Sequence, residues 1–285
     1  MNAQDARSEI FDPAMLAGRV ALVTGGGTGL GRASAVELAR CGAHVAVCGR
    51  RPEPLAETVA QIEAFGGTAS ALSGDVRDQA EAARLVAAVG EQHGGLDVLV
   101  NNAGGQFFSP AELIAAKGWH AVWRLNVEGM LNMSQAAFEG MFAQAGAGCI
   151  VNVTLSPHHG MPGMAHSGAA RATVEALTHE LAERWRAAGV TVSAVAAGHF
   201  DTEVLAKYPA SVRAGAARTP PIGRLGLAIE HAWLVALLAS PLGACFNGST
   251  VTLDGARDNW FGPWPPPGLA DDSGAVPVEE RKARA

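Results

Sequence analysis

The sequence predicts an α/β fold, a single doubly wound, Rossmann-type parallel sheet of seven strands with helices on both faces. Three observations predict it. Short apolar runs alternate with segments of helical periodicity along the whole chain. The runs are apolar throughout, as strands covered on both faces are. The first run opens into a glycine-rich turn that leads straight into a helical segment.

The elements follow in order. "RVALVTG" is the first strand, and "GLGRASAVELARCG" is the helix after it. "HVAVCG" leads into "PLAETVAQIEAFGG", and "ASALSGDV" into "QAEAARLVAAVGEQHGG". "LDVLVNNAGG" precedes one long helical stretch, "KGWHAVWRLNVEGMLNMSQAAFEGM". "CIVNVTL" precedes the helix that holds Ser167. "VTVSAVAAG" precedes a loop and the helix "EHAWLVALLAS", and "STVTLDG" is the last strand. All seven strands are expected to be buried on both faces, and right-handed crossovers wind the sheet in both directions. With no linker and no repeat, residues 1–285 read as one domain with a core at about 16–255. Residues 199–226 form a long substrate loop, of the length at which loops serve as lids or stay disordered. The tail, 256–285, holds "NWFGPWPPPG" and packs either on a neighbouring subunit or over its own domain.

Composition narrows the function classes. With 48% hydrophobic and 17% charged residues, the chain is an ordered globular protein. A net charge of −6 argues against a protein built to bind nucleic acid or an anionic membrane. No apolar run approaches the roughly 20 residues of a membrane helix. The start shows no secretory signal. The four cysteines lack metal or redox spacing and are expected to be buried thiols of a reducing cytoplasm. No metal site is expected, because His158 and His159 have no further ligands at suitable spacing.

The turn "VTGGGTGLGRA" places Gly25, Gly29 and Gly31 at G-x-x-x-G-x-G spacing, with Thr28 and Leu30 between them. A β-carbon at the glycines would keep a pyrophosphate away from the backbone amides at the helix start. At the end of the second strand, Gly49 stands where an acid would hold the adenosine 2′-hydroxyl. Arg50 and Arg51 follow it. Two guanidinium groups and no acid favour a 2′-phosphate, hence NADP(H).

From Leu16 to about Gly255 the chain resembles the short-chain dehydrogenase/reductase family. The matching stretches are "TGGGTGLG", "GDV" at Gly74–Val76, "NNAG" at Asn101–Gly104, "RLNVEG" around Asn126, and "LDG" at Leu253–Gly255. Within the family it is most similar to the peroxisomal-type trans-2-enoyl-CoA reductases and their bacterial relatives, then to 2,4-dienoyl-CoA reductases. "NNAGGQFFSPAELIAAKGWHAV" and "HSGAARATVEALT" carry that likeness. The resemblance implies that Asp75 binds the adenine amino group beside Val76. It also implies that Asn102, Ala103 and Gly104 line the adenine-ribose path. Asn126 would hold a water or orient its helix, and Gly198 and Thr202 would meet the nicotinamide. The family's usual Pro-Gly reads Ala197-Gly198 here. Family members are dimers or tetramers, so a homotetramer or homodimer is expected.

The family's tyrosine and the lysine four residues on are replaced by Ser167 and Arg171. That spacing keeps both side chains on one helix face. The only tyrosine, Tyr208, lies far along the sequence. Arginine stays charged, and a serine hydroxyl is a much weaker acid than a phenol. Quenching an alkoxide needs an acid, whereas an enolate oxygen needs hydrogen-bond donors. The substitution therefore favours reduction of an enoyl thioester C=C bond over reduction of a ketone. Ser167 reads as donor or as a packing residue. His166 reads as a proton donor or a structural hydrogen-bonder. Glu175 is expected to pair with Arg171 one turn back. Two alternatives stand beside the enoyl reductase. One is a carbonyl reductase or alcohol dehydrogenase using His166 or Tyr208, and the other is a cofactor-binding protein that has lost turnover.

Overall fold

A computed structural model describes residues 7–258, apart from 157, 159–162, 204, 208–209 and 219. Tyr208, His159 and the "NWFGPWPPPG" tail lie outside the described residues. The first half of the chain contributes β1 (Val20–Thr24), α1 (Gly29–Arg40), β2 (His44–Gly49), α2 (Pro52–Glu63), β3 (Ala69–Ser73), α3 (Gln79–His93) and β4 (Val98–Asn101). Next come α4 (Ala116–Trp123), α5 (Gly129–Ala137), α6 (Ala143–Ala145), β5 (Gly148–Leu155), α7 (Ala165–Trp185) and β6 (Val190–Ala197). The last part contributes β7 (Phe200–Asp201), α8 (Ala210–Arg218), β8 (Gly226–Leu227), α9 (Ala228–Ala239) and β9 (Thr250–Leu253).

Seven strands form one parallel sheet in the order β3-β2-β1-β4-β5-β6-β9. The expected fold is thus observed, with its switch point between β1 and β4. The period of two sorts each central strand between two cores. Ala21 and Val23 of β1 join Val45 and Val47 of β2 under α1 and α9. Val20 and Leu22 join Ala46 and Cys48 on the opposite face, under α3 and α5. Helix ends follow local chemistry. The Asp78 carboxylate accepts from the Ala80 and Glu81 amides to start α3, and left-handed Gly94 (φ 83°) stops it.

Three expectations need correction. Strands β3 and β9 are not buried on both faces, because they are the sheet edges, and only Leu72 among their residues is buried. The long helix after β4 is interrupted by π-turns at Arg124–Glu128 and Phe138–Phe142. Only Cys41 and Cys48 are buried, whereas Cys149 is half-buried and Cys245 exposed. The 199–226 segment carries structure of its own, with β7 and β8 pairing on either side of α8. Among the described residues, no helix is long and apolar enough to cross a membrane.

One buried group gives the fold an acid limit. His231 of α9 is buried against α1, with Nδ1 3.3 Å from the Ser34 hydroxyl and Nε2 without a hydrogen-bond partner among the described residues. Burial pushes its pKa down to about 4. In the unfolded chain it titrates near 6.5, so the unfolded state gains the proton first as pH falls. Stability should therefore drop between about pH 6.5 and pH 4, by up to about 3 kcal/mol from this residue. Denaturant titrations across that range should show a shallower pH dependence in His231→Gln. An unchanged slope would assign the acid sensitivity to other groups.

Candidate cofactor and substrate site

The site is built at the switch point, where the ends of β1 and β4 diverge. Asn102 Nδ2 donates to the Thr24 carbonyl at 2.9 Å and to the Gly25 carbonyl at 3.3 Å. The Thr24 hydroxyl accepts from the Asn102 and Ala103 amides and donates to the Val100 carbonyl. Gly25 is left-handed (φ 64°), as is Gly29 (φ 55°). At Gly31 the reason is contact rather than dihedral angle. A β-carbon there would lie 2.3 Å from Asn102 Nδ2 and 2.4 Å from the Gly25 carbonyl oxygen. Asn102 therefore spends its amide on bracing the glycine turn. Leu30 packs into the core beneath α1.

Around this turn the fold gathers most of the expected cofactor residues. Gly25, Thr28, Arg50, Arg51, Asp75, Val76, Ala103 and Gly104 line one cleft of about 150 Å³. Arg50 and Arg51 are exposed at its rim. The Asp75 carboxylate is gripped by Arg77, a residue the sequence reading missed, whose Nε lies 2.8 and 3.0 Å from the two oxygens. That guanidinium holds the Asp75 pKa below its ordinary value. The Val76 carbonyl accepts from Asn132 Nδ2 at 3.0 Å.

At the Gly104 end the helix residues converge. A β-carbon on Gly104 would lie 2.3 Å from Arg171 Nη2 and 2.8 Å from Asn126 Oδ1. Asn126 sits in the first π-turn and holds the loop backbone. Its Oδ1 accepts from the Gly105 amide at 3.1 Å, and its Nδ2 donates to the Gly105 and Val122 carbonyls at 2.8 and 2.7 Å. Arg171 Nη1 donates to the Val153 carbonyl at 2.8 Å, while its buried Nε has no partner among the described residues. Burial pushes the Arg171 pKa down to about 10, which leaves it charged near neutrality. The buried Ser167 hydroxyl makes a long contact, 3.4 Å, with Gln106 Oε1. Gln106 also escaped the sequence reading, although it directly follows "NNAGG".

His166, the neighbour of Ser167, is buried, and neither of its ring nitrogens has a hydrogen-bond partner among the described residues. The imidazole packs edge-on against Phe107 (4.3 Å between centroids) and Trp119 (6.0 Å). Burial pushes its pKa down, so the neutral ring is favoured.

Glu175 does not pair with Arg171. It accepts from the Thr154 hydroxyl at 3.0 Å and faces His158 Nε2 at 3.0 Å. His158 Nδ1 meets Asp258 at 2.5 Å. Burial disfavours a charged His158, but the two carboxylates outweigh it and raise its pKa. Ser156, directly after β5, is buried, and its hydroxyl donates to the Asp254 carboxylate. Gly198 is required where the ends of β6 and β9 touch, since its β-carbon would lie 2.5 Å from Asp254 Cβ. Thr202 follows β7, and its carbonyl accepts from the Leu205 amide.

The cleft fits a dinucleotide. Its glycines leave the backbone open, its rim is cationic, and the Arg171 guanidinium packs behind Gly104 at its inner end. A family model for short chain dehydrogenases matches residues 19–212. The chain is 36% identical over 252 residues to a Bacillus subtilis protein named "Probable 2,4-dienoyl-CoA reductase", covering 87% of this chain and 98% of that one. It is 37% identical over 241 residues to the cis-4-hydroxycyclohexanecarboxylate dehydrogenase of Sinomonas cyclohexanicum, covering 83% and 95%. Among solved structures, the citronellol catabolism dehydrogenase AtuB of Pseudomonas aeruginosa PAO1 superposes with a TM-score of 0.79 at 39% identity, covering 87% and 98%. The glycine turn, the braced switch point and these likenesses agree that the chain belongs to the short chain dehydrogenase family, whose members are nicotinamide-dependent oxidoreductases.

Proposed function

We propose that the protein is an NADP(H)-dependent reductase of the C=C bond of an enoyl thioester, of the enoyl-CoA type. The observation that carries this reading is the pair at the Gly104 end of the cleft. There a half-buried guanidinium that keeps its proton stands four residues from a serine hydroxyl, where a phenol would serve a ketone. In this reading the amides of the Gly25–Gly31 turn hold the pyrophosphate, and Arg50 and Arg51 hold the 2′-phosphate. Asp75 and Val76 flank the adenine, Ala103 and Gly104 the ribose path, and Gly198 and Thr202 the nicotinamide. When bound, the nicotinamide supplies a hydride to the substrate β-carbon. Arg171 fixes the ribose and lends positive charge, and Ser167 donates to the thioester oxygen.

Without a well-placed acid, ketone reduction forfeits ~10²–10⁴-fold of rate. Charge that spreads onto a thioester oxygen needs only donors, and the α-carbon takes its proton afterwards from water. Relatives named 2,4-dienoyl-CoA reductases point the same way. The expected setting is a cytoplasmic homotetramer or homodimer joined through the helices that bear Asn126 and Ser167.

A second reading draws on the relatives named dehydrogenases. It is a carbonyl reductase or alcohol dehydrogenase with a non-standard proton donor. NADPH oxidation separates the readings. Turnover is expected with crotonyl-CoA or 2,4-hexadienoyl-CoA and not with acetoacetyl-CoA or a simple ketone. Turnover confined to the ketones would replace the first reading by the second. NADPH binding with no turnover on any of these would leave a protein that binds cofactor without reducing them.

A further inference from the structure

The amide of Gly29, the first residue of α1, donates to Glu203 Oε1 at 3.0 Å, across 174 positions of sequence. Glu203 lies on the segment that follows β7, beside Thr202, and its side chain is exposed. The contact is made at the cofactor turn itself, since Gly25, Gly27 and Thr28 line the cleft next to it. Arg32, one turn into α1, does not draw the carboxylate. Its Nε donates to the Gly27 carbonyl at 2.9 Å, and its Nη2 pairs with Glu57 at 2.7 Å. What holds Glu203 is the open amide and the positive end of the α1 dipole.

A helix start of this kind binds whichever anion reaches it. If the dinucleotide reading is right, that anion is also the pyrophosphate, and one N–H cannot serve both. The carboxylate would besides stand beside the phosphates as a like charge. We propose that Glu203 is a tethered competitor for the cofactor phosphates. It occupies the Gly29 amide in the unliganded chain, and dinucleotide binding expels it. Cofactor affinity is therefore held below what the glycine turn alone would give. This rests on the cofactor reading above.

Titration of the full-length chain with NADPH, read by nucleotide fluorescence at fixed ionic strength, tests it. Glu203→Ala should bind NADPH roughly five- to thirty-fold more tightly than the native chain. Glu203→Gln should gain less, because its amide oxygen still accepts from Gly29 but carries no charge. Glu139→Gln removes an exposed carboxylate from the second π-turn and should leave the affinity unchanged. Equal or weaker binding by Glu203→Ala overturns the proposal while leaving the cofactor reading intact. So does an equal gain in Glu139→Gln, which would reduce the effect to overall charge. Failure of every chain to bind either NADPH or NADH overturns the cofactor reading, and this proposal with it.

Discussion

Arg171→Met should lower kcat for an enoyl thioester by ~10²–10³-fold, the scale of losing one donor at a developing oxyanion. The argument starts from burial. The half-buried side chain sets its guanidinium against Gly104 and the end of β5, and only the Val153 carbonyl accepts from it among the described residues. A half-buried cation so sparsely paired still carries a desolvation cost and marks a site where charge is needed. Methionine fills much of the same volume, so the fold should survive, as a thermal melt will show. Arg171→Lys separates charge from shape. It should keep a substantial part of the rate near pH 7, but the buried ammonium deprotonates at lower pH than the guanidinium. Its rate should therefore fall on the alkaline side well before that of the native enzyme, whose Arg171 titrates only near pH 10. Superimposable alkaline limbs would show that the charge at this position does not act on the reaction. Ser167→Ala completes the set, with a loss in kcat larger than any loss in NADPH affinity. Unchanged kcat would assign the hydroxyl to packing against Gln106.

The sheet was readable because its central strands are buried on both faces, which writes a continuous apolar run into each of them. Edge position leaves a fainter mark. "ASALS" and "TVTL" interleave serine or threonine with their apolar residues, a diluted pattern that still reads as strand, and the pairing order shows that they border the sheet. The π-turns were hidden for a related reason. One extra residue in a turn barely disturbs a helical pattern, yet it aims the Asn126 amide at the Gly105 backbone. The cofactor turn was readable because its demands are local. Gly25 and Gly31 are fixed by backbone geometry within a few residues of one another. The unread parts are contacts between distant segments, such as Glu203 with Gly29 and the His158 clasp between Glu175 and Asp258. Nothing near His158 in the chain announces two carboxylates, one of them 100 positions away. The i, i+4 rule suggested Arg171 for Glu175, and a histidine from another element took it.

In the proposed NADP(H) reading, Arg50→Asp should weaken NADPH binding roughly ten- to hundredfold and leave NADH within a few-fold, since it would remove a charge-assisted contact to the 2′-phosphate and add a repulsion. Both arginines sit at the cleft rim, after the Gly49 that ends β2. Backbone rather than side chain fills the position where a carboxylate would grip the ribose hydroxyls. Arg50 also lies close enough to Asp75 to help hold its carboxyl ionised. An aspartate at 50 would face that carboxylate across the mouth of the cleft and add a repulsion to Asp75 that has nothing to do with the phosphate. Arg50→Gln isolates the phosphate effect, because it removes the charge without adding one. Arg51→Gln should give a loss of the same kind, and the double variant should lose the preference for NADPH. The ratio of the two dissociation constants is the quantity to read, since a damaged cleft weakens both cofactors alike. If NADPH and NADH weaken equally in Arg50→Gln, the two guanidinium groups are solvated surface charges and the choice of cofactor is made elsewhere in the cleft.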